Sequence, residues 1–151
     1  MNATPATVWA LVSDVTRIGE FSPETFEAEW LGEATGPAVG ARFRGHVKRN
    51  GIGPIYWTPC TVLECVPDQE FAFGVGSARK PIIVWRYHLE PSGDGTGGAG
   101  GTDVTESFAL TGILPLRLYW SLWGWSRGRV NQRGIRTTLE RIKAVVEQPQ
   151  A

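Results

Sequence analysis

The chain has 151 residues and no internal repeat, which is enough for one domain with a substantial core. Its 15 lysine and arginine residues balance 15 aspartate and glutamate residues, so the formal net charge is zero and no global field favours nucleic acid as a partner. No charged leader precedes an apolar segment and no apolar run reaches about 18 residues, so we expect a cytoplasmic protein.

Two short helices are predicted at the start of the chain. Thr4-Pro5 supplies an N-cap and a favourable first residue for a helix from Pro5 to Ser13. Asp14 is placed to cap a second helix, which Gly19 ends. We expect the two helices to hold one end of a sheet.

From Phe26 onward the apolar period changes to two, which is typical of strands with one buried face. Phe26, Ala28 and Trp30 are assigned to the buried face of the first strand. Short connections favour an antiparallel meander. The predicted strands are Phe26–Trp30, Arg42–Lys48, Tyr56–Val66, Phe71–Val75, Ile82–Leu89 and Asp103–Leu110.

Two features inside this strand region need separate interpretation. The glycine-rich stretch from Ser92 to Thr102 contains a G-x-G-x-x-G match, but a strand follows it where a dinucleotide fold requires a helix. We therefore do not expect a nucleotide there. Cys60 and Cys65 lie five residues apart in one strand, so their side chains should point to opposite faces and cannot form a disulfide with each other. We therefore expect two small core residues in a reducing compartment.

The last predicted element is a long helix within the segment from Leu114 to Val146. Its apolar stripe contains Ile135, Leu139, Ile142, Val145 and Val146, and its opposite side contains Arg129, Arg133, Arg136 and Lys143. Toward the start of the helix, the stripe passes to Asn131, Gly128 and Gly124, although a helix packed flat on a sheet would carry Leu or Ile there. We interpret this half as facing a space; the alternative is that the glycines mark a kinked or non-helical start.

Several motifs along this order of elements are similar to those of the START-like superfamily, in particular its actinobacterial polyketide cyclase/dehydrase-like branch. They are Pro5-Ala6-Thr7-Val8-Trp9, Val12-Ser13-Asp14, Gly36-Pro37-Ala38-Val39-Gly40-Ala41-Arg42-Phe43, Phe71-Ala72-Phe73 and Val104-Thr105-Glu106-Ser107. The resemblance covers nearly the whole chain. It implies a single α+β domain over residues 1–151 with the helix-grip fold, in which a curved antiparallel sheet wraps around the C-terminal helix and encloses an apolar cavity.

The resemblance also contains one departure. Family members usually begin with a strand before the first helix, whereas only Met1 to Ala3 precede Thr4 here. Either that edge strand is missing or the start of the chain has been assigned too late, which puts closure of the sheet in question.

Strand parity predicts a set of aromatic side chains on the cavity side. Large aromatic rings stack on planar ligands and cover apolar area with few rotatable bonds. The alternative for each of them is ordinary core packing. The set is Trp30, Phe43, Trp57, Phe73, Trp85, Tyr87 and Phe108, joined by Trp120 and Trp123 from the segment before the long helix.

Glu106 is the unusual residue of the last strand, because it shares parity with Val104 and Phe108 and should face the dry side. A buried carboxylate needs a partner or takes up a proton. Arg127 is the candidate partner. The pair could form a structural salt bridge or anchor a ligand, or Glu106 could act as a general acid or base.

Asn131, on the helix stripe, could bind a ligand carbonyl or hydroxyl, or satisfy a carbonyl at a strand end. His46 and His88 have outward parity, and no histidine, cysteine and carboxylate cluster has metal-ligand spacing, so neither a metal nor a cofactor is expected.

The apolar segment Leu114 to Trp125 is too short to span a bilayer. We expect it to gate the cavity; the alternative is transient contact with a membrane surface.

These features predict binding or carriage of a hydrophobic small molecule of the lipid, polyketide or aromatic type. One alternative is a polyketide aromatase/cyclase that uses Glu106 as its acid or base. Another is a non-catalytic interaction module with a filled core, which predicts no cavity at all.

Overall fold

The structure is a computed structural model that describes residues 1–48, 53–93, 100–111 and 133–148. Its first helix, α1, spans Pro5–Ser13 as predicted, and the Thr4 hydroxyl accepts a hydrogen bond from the Thr7 backbone N–H at 3.2 Å. The second short element is a 3-10 helix, Val15–Glu20. The Asp14 carboxylate caps it by accepting from the Thr16 N–H at 3.1 Å.

Within the described residues, six strands form one antiparallel sheet whose order follows the chain. The predicted meander is therefore confirmed. The strands are β1 (Thr25–Leu31), β2 (Arg42–Lys48), β3 (Ile55–Val66), β4 (Glu70–Ser77), β5 (Lys80–Ser92) and β6 (Gly101–Leu110).

A bulge in β1 corrects one predicted orientation. The register with β2 shifts between Thr25 and Glu27, so the alternation is interrupted at Phe26. Phe26 is 47% exposed and its ring lies 4.6 Å from that of His46, which has outward parity. Phe26 is therefore not on the buried face.

A second bulge, in β3, corrects the prediction for the cysteines. Cys60 lies opposite Val75, and after a register shift between Val62 and Glu64, Cys65 lies opposite Phe71. Because Phe71 and Val75 are four residues apart in β4, they share one face of the sheet. Cys60 and Cys65 are both free thiols on that inner face, not on opposite faces.

The C-terminal helix, α2, is described over residues 133–146. Thr138 and Ile142 are buried on it, and Val145 and Val146 pack against the same core as α1 and the inner face of the sheet. Ile142, Val145 and Val146 of the predicted apolar stripe therefore face the core, Ile135 lines a cavity, and the α+β helix-grip architecture is confirmed. No helix in the described part of the chain is long and apolar enough to cross a bilayer.

The N-terminal residues pair with the beginning of β6. The Met1 ammonium group donates to the Thr102 carbonyl at 2.7 Å, and the Thr102 N–H donates to the Met1 carbonyl at 2.9 Å. The Thr102 hydroxyl also donates to the Ala3 carbonyl at 2.6 Å. Backbone pairing at this edge of the sheet is thus present, although no strand precedes α1 among the described residues.

The 3-10 helix lies unusually close to β1 at one glycine. A Cβ atom built on Gly19 would lie 2.2 Å from the carbonyl oxygen of Phe26 and 2.9 Å from its carbonyl carbon. Only a residue without a side chain allows this approach. Gly19 therefore sets the position of the chain that connects the 3-10 helix to the sheet.

Candidate ligand-binding cavity

A cavity of about 360 Å³ lies between three parts of the fold: the 3-10 helix with the turn that follows it, the inner face of β4 to β6, and the first described turns of α2. The cavity borders the helix at residues 133–138, whereas Gly124, Gly128 and Asn131, beside which the space is predicted, lie outside the described residues. The described lining consists of Ile18, Ser22, Pro23, Glu24, Thr25, Phe73, Trp85, Tyr87, Glu106, Arg133, Gly134, Ile135, Thr137 and Thr138.

Glu106 faces this cavity from β6, which is the orientation that strand parity predicts. It lies directly opposite Tyr87 on β5, and the Tyr87 hydroxyl donates to Glu106 Oε1 at 3.2 Å. The second carboxyl oxygen, Oε2, is buried and has no hydrogen-bond partner among the described residues. An acid with one satisfied and one unsatisfied oxygen is therefore present in the cavity wall.

Burial controls the protonation of both members of this pair. It raises the pKa of Glu106 to about 7, and the hydrogen bond from Tyr87 lowers that pKa only in part. Burial, followed by the nearby Glu106, raises the pKa of Tyr87 well above its ordinary value. Near neutral pH the Glu106 side chain is therefore present in both its acid and its carboxylate form, while Tyr87 keeps its proton.

Replacement of Tyr87 by phenylalanine tests this description of the pair. The substitution removes the O–H group that favours the carboxylate, so we expect the pKa of Glu106 to rise above its wild-type value. The Glu106 side-chain carboxyl carbon, followed by ¹³C NMR during a pH titration, measures the change. An unchanged or lower pKa in Tyr87→Phe would mean that the hydroxyl does not act on the carboxylate.

A second cavity of about 100 Å³ lies beside the first, over β2 to β4. Phe73, Thr25, Ile18 and Glu24 line both cavities, so the two spaces adjoin each other. The residues found only in the second lining are Phe43, Gly45, Val47, Tyr56, Thr58, Cys60 and Val75, none of which carries a formal charge at neutral pH. Burial raises the pKa of the Cys60 thiol to about 12.

The predicted aromatic residues are distributed over several places on the inner face. Phe73, Trp85 and Tyr87 line the larger cavity, and Phe43 lines the second one. Trp30 and Phe108 line neither. The Trp30 ring packs against Phe43 at 5.7 Å, and the Phe108 ring packs against Trp85 at 5.3 Å, so both support aromatic residues that do line a cavity.

The structure corrects the prediction for Trp57, which lies on the outer face of the sheet. Trp57 pairs with His46 on β2, and the two rings stack at 4.2 Å. The Arg44 guanidinium lies 4.3 Å from the centre of the indole. The inward position belongs to the next residue, Thr58, which pairs with Gly45. Trp57 therefore supports the outer surface and not the cavity wall.

Four predicted site residues lie outside the described part of the chain, and so does the predicted gate or membrane-contact segment Leu114 to Trp125. They are Trp120, Trp123, Arg127 and Asn131. The proposed pairing of Glu106 with Arg127 accordingly remains a prediction.

Sequence reasoning missed part of the cavity wall. Ser22 to Glu24 connect the 3-10 helix to β1, and nothing in the composition of a connection says which space it will border. Arg133 was assigned to the polar side of the helix, and it is exposed, yet it also lines the larger cavity. A long side chain at the edge of a helical stripe can reach either side.

The remaining polar cluster lies on the outer face, away from both cavities. His88 Nδ1 lies 2.6 Å from Glu70, and Arg86 forms an ion pair with Glu64. His46 and His88 both have the outward orientation expected of them. In the described ranges, no group of three or more histidine, cysteine, aspartate and glutamate side chains is arranged to hold a metal ion.

Comparison with solved structures places this architecture among known proteins. A protein from Nitrosomonas europaea superposes with a TM-score of 0.67 at 13% identity, over 98% of this chain and 90% of that one. A polyketide cyclase-like protein from Corynebacterium glutamicum is 26% identical, with a TM-score of 0.51 over 97% of this chain and 85% of that one.

A third similar structure is StfQ, the di-domain ARO/CYC protein of the steffimycin biosynthetic pathway. Its TM-score is 0.64 at 14% identity, and the match covers 98% of this chain and 42% of StfQ. At such low identity the likeness shows the shared fold.

The search of curated sequences finds no significant match. A family profile, by contrast, matches almost the whole sequence, from residue 1 to residue 147. The matched region includes α1, all six strands and the described part of α2, and hence every described residue that lines the two cavities. The chain therefore belongs to the family described as polyketide cyclase / dehydrase and lipid transport.

Proposed function

We propose that this protein binds or carries a hydrophobic small molecule of the lipid, polyketide or aromatic type in the larger cavity. The observation that carries the proposal is a space of about 360 Å³, lined by aromatic rings, with a buried carboxyl oxygen that has no partner among the described residues. Ligand sites commonly have this combination of apolar walls and a few placed polar groups. The cavity also counts against the alternative of a module with a filled core.

The polar end of the cavity suggests what the ligand carries. A hydroxyl group can donate to the Glu106 carboxylate or accept from its acid form, and a carbonyl can accept from the acid form. Either group would satisfy Oε2, which is buried with no partner in the described part of the chain, an arrangement that carries a desolvation cost. We therefore favour a mainly apolar ligand with at least one hydroxyl or carbonyl oxygen.

Gly134 provides a direct test, because it lines the cavity and no described atom lies within 4 Å of a Cβ built on it. Gly134→Phe should fill part of the space and lower the affinity for 1-naphthol, a bicyclic aromatic alcohol, by at least about tenfold, a loss of roughly 1.4 kcal/mol. Isothermal titration calorimetry measures the change. Gly134→Ala is the matched control, since it also removes a helical glycine but adds only one methyl group.

The two variants must both remain folded, which their melting temperatures report. Equal 1-naphthol affinity in Gly134→Phe and Gly134→Ala would show that the probe does not occupy this cavity. Native mass spectrometry of protein purified from its own host adds a test that depends on no chosen probe. A co-purified apolar molecule that Gly134→Phe loses and Gly134→Ala retains would support carriage.

A second candidate function is cyclisation of a polyketide, and the ionisation of Glu106 is the observation that favours it. A carboxyl with a pKa of about 7 inside a cavity can take a proton from a methylene between two carbonyls and return one to the alkoxide formed by ring closure. Turnover of a linear poly-β-ketone thioester that Glu106→Gln abolishes would favour this candidate. Binding without turnover favours carriage.

A further inference from the structure

We infer that the second cavity is a tail pocket, which holds the apolar end of the same ligand whose polar group reaches Glu106. The inference rests on the proposed function and makes it more specific: the ligand is elongated, with an oxygen-bearing head and an unbranched or narrow hydrocarbon tail. Three observations support it: the shared wall, the different chemistry of the two cavities and the distance between their ends.

The shared wall shows that one molecule can border both cavities. Phe73 projects from the middle of the sheet between them, and its ring lies 5.3 Å from that of Phe43 in the second cavity. Ile18 and Thr25 complete the boundary from the side of the 3-10 helix and the start of β1. A tail that leaves the larger cavity would therefore pass Phe73.

The chemistry of the two cavities differs in the way that an amphipathic ligand requires. The larger cavity contains Glu106, the Tyr87 hydroxyl and Arg133. The second cavity shares Glu24 with the larger one at their common wall, and its other lining residues carry no formal charge at neutral pH. Apolar surface gains free energy when it leaves water, in proportion to the area buried. The second cavity therefore suits hydrocarbon, and the first suits the polar head.

The space in the second cavity depends on two small residues that face each other. Gly45 on β2 has no side chain, and a Cβ added there would meet the Thr25 methyl group at 3.1 Å. Its cross-strand partner is Thr58 on β3. Larger side chains at this pair would occupy the cavity. Its volume of about 100 Å³ leaves room for about three or four methylene groups if each takes the ~30 Å³ of a water molecule.

The distance along the sheet gives the length of the ligand. Glu106 belongs to β6 and Thr58 to β3, and these strands are three spacings apart in the sheet. At about 4.8 Å per spacing, the displacement across the strands is roughly 14 Å. The register adds a displacement along β3, because Glu106 is in line with Cys65 through Tyr87 and Phe71, and Thr58 lies seven residues before Cys65. A compact fused-ring molecule that fills only the larger cavity would not reach the second.

A homologous series of 1-alkanols from butanol to dodecanol tests the inference, because each hydroxyl can bond Glu106 in either protonation state. Affinity is measured by NMR titration of the tryptophan indole N–H signals. In the wild-type protein we expect affinity to rise about fourfold per methylene until the tail fills the second cavity. In Thr58→Phe the rise should stop about three or four carbon atoms earlier.

Thr105→Phe is the matched control, since Thr105 is an exposed residue of β6 opposite His88 on the outer face. In this control, the rise in affinity should stop at the same alkanol chain length as in the wild type. Val75→Phe, on the neighbouring strand of the second cavity, repeats the test if Thr58→Phe does not fold. An identical stopping length in the wild type and in the folded filling variant would overturn the tail pocket while leaving the proposed function intact. No binding by any member of the series would contradict both.

Discussion

The Glu106→Gln variant should lose most of the pH dependence of stability that the wild-type protein shows between about pH 4.5 and pH 7. Glu106 has a pKa of about 7 when folded, against an ordinary value of 4.5. Between these values the unfolded chain releases the proton while the folded chain retains it, so the folded state binds more protons and stability falls as pH rises. Glutamine cannot ionise and should not show this fall.

The expected size of the effect follows from the two pKa values. A shift of this size corresponds to a destabilisation of the folded state on the order of 3 kcal/mol. This destabilisation is absent below pH 4.5 and fully present above pH 7. Relative to the wild type, Glu106→Gln should therefore gain about 3 kcal/mol in the free energy of unfolding between pH 4 and pH 8. Urea unfolding at a series of pH values measures the difference.

Glu33→Gln is a suitable control, because Glu33 is an exposed glutamate outside both cavities and undergoes the same chemical change. Its stability relative to the wild type should stay within about 0.5 kcal/mol across the same pH range. A pH-independent difference between Glu106→Gln and the wild type would show that Glu106 ionises in the folded protein as it does in the unfolded chain. The proposal that Glu106 acts as an acid and a base would then lose its main support, and so would the proposal that its acid form donates to a ligand oxygen.

Gly19→Ala, which adds one methyl group to the 3-10 helix, should clearly lower the stability of the protein. The added Cβ would lie 2.2 Å from the Phe26 carbonyl oxygen, and backbone atoms cannot turn away as a flexible side chain can. Overpacking of this kind costs about 1–3 kcal/mol, which for a chain of this length lowers the melting temperature by several degrees. Differential scanning calorimetry measures the loss.

The same substitution should also weaken ligand binding. Gly19 is followed by the connection Ser22 to Glu24 and by Thr25 at the start of β1, which together form one wall of the larger cavity and part of the boundary with the second. A shift of the 3-10 helix away from β1 would move that wall, so we expect the affinity for 1-naphthol to fall together with stability. Gly36→Ala is the control, because no atom of the described residues contacts a Cβ built at Gly36. Equal melting temperatures in the two variants would contradict the close approach at Gly19.

The positions of the helices and strands could be predicted because they depend on local patterns. The bounds of α1 follow from Thr4 and Pro5, and the strands follow from an apolar period of two. The predictions of side-chain orientation were wrong where pairing with a neighbouring strand decides that orientation. The bulges at Phe26 and before Cys65 each insert one residue, and an alternation pattern contains no sign of that insertion.

Trp57 shows the same limit for the candidate site. In β3 both alternating sets contain an aromatic residue, Tyr56 in one and Trp57 in the other, so composition alone does not identify the inner face. Pairing with β2 identifies it, because Trp57 lies opposite His46 and Tyr56 lies opposite Val47. Glu106, by contrast, could be placed correctly, since its neighbours in β6 leave only one apolar face.

The bulge in β3 also has a redox consequence. It brings Cys60 and Cys65 onto the interior side of the sheet, where burial raises the pKa of both thiols. Thiolate, not thiol, reacts with oxidants and electrophiles, so both groups are chemically quiet while β3 stays paired. Cys60 is buried and Cys65 is only partly buried, so modification of Cys60 by a thiol reagent would report opening of β3.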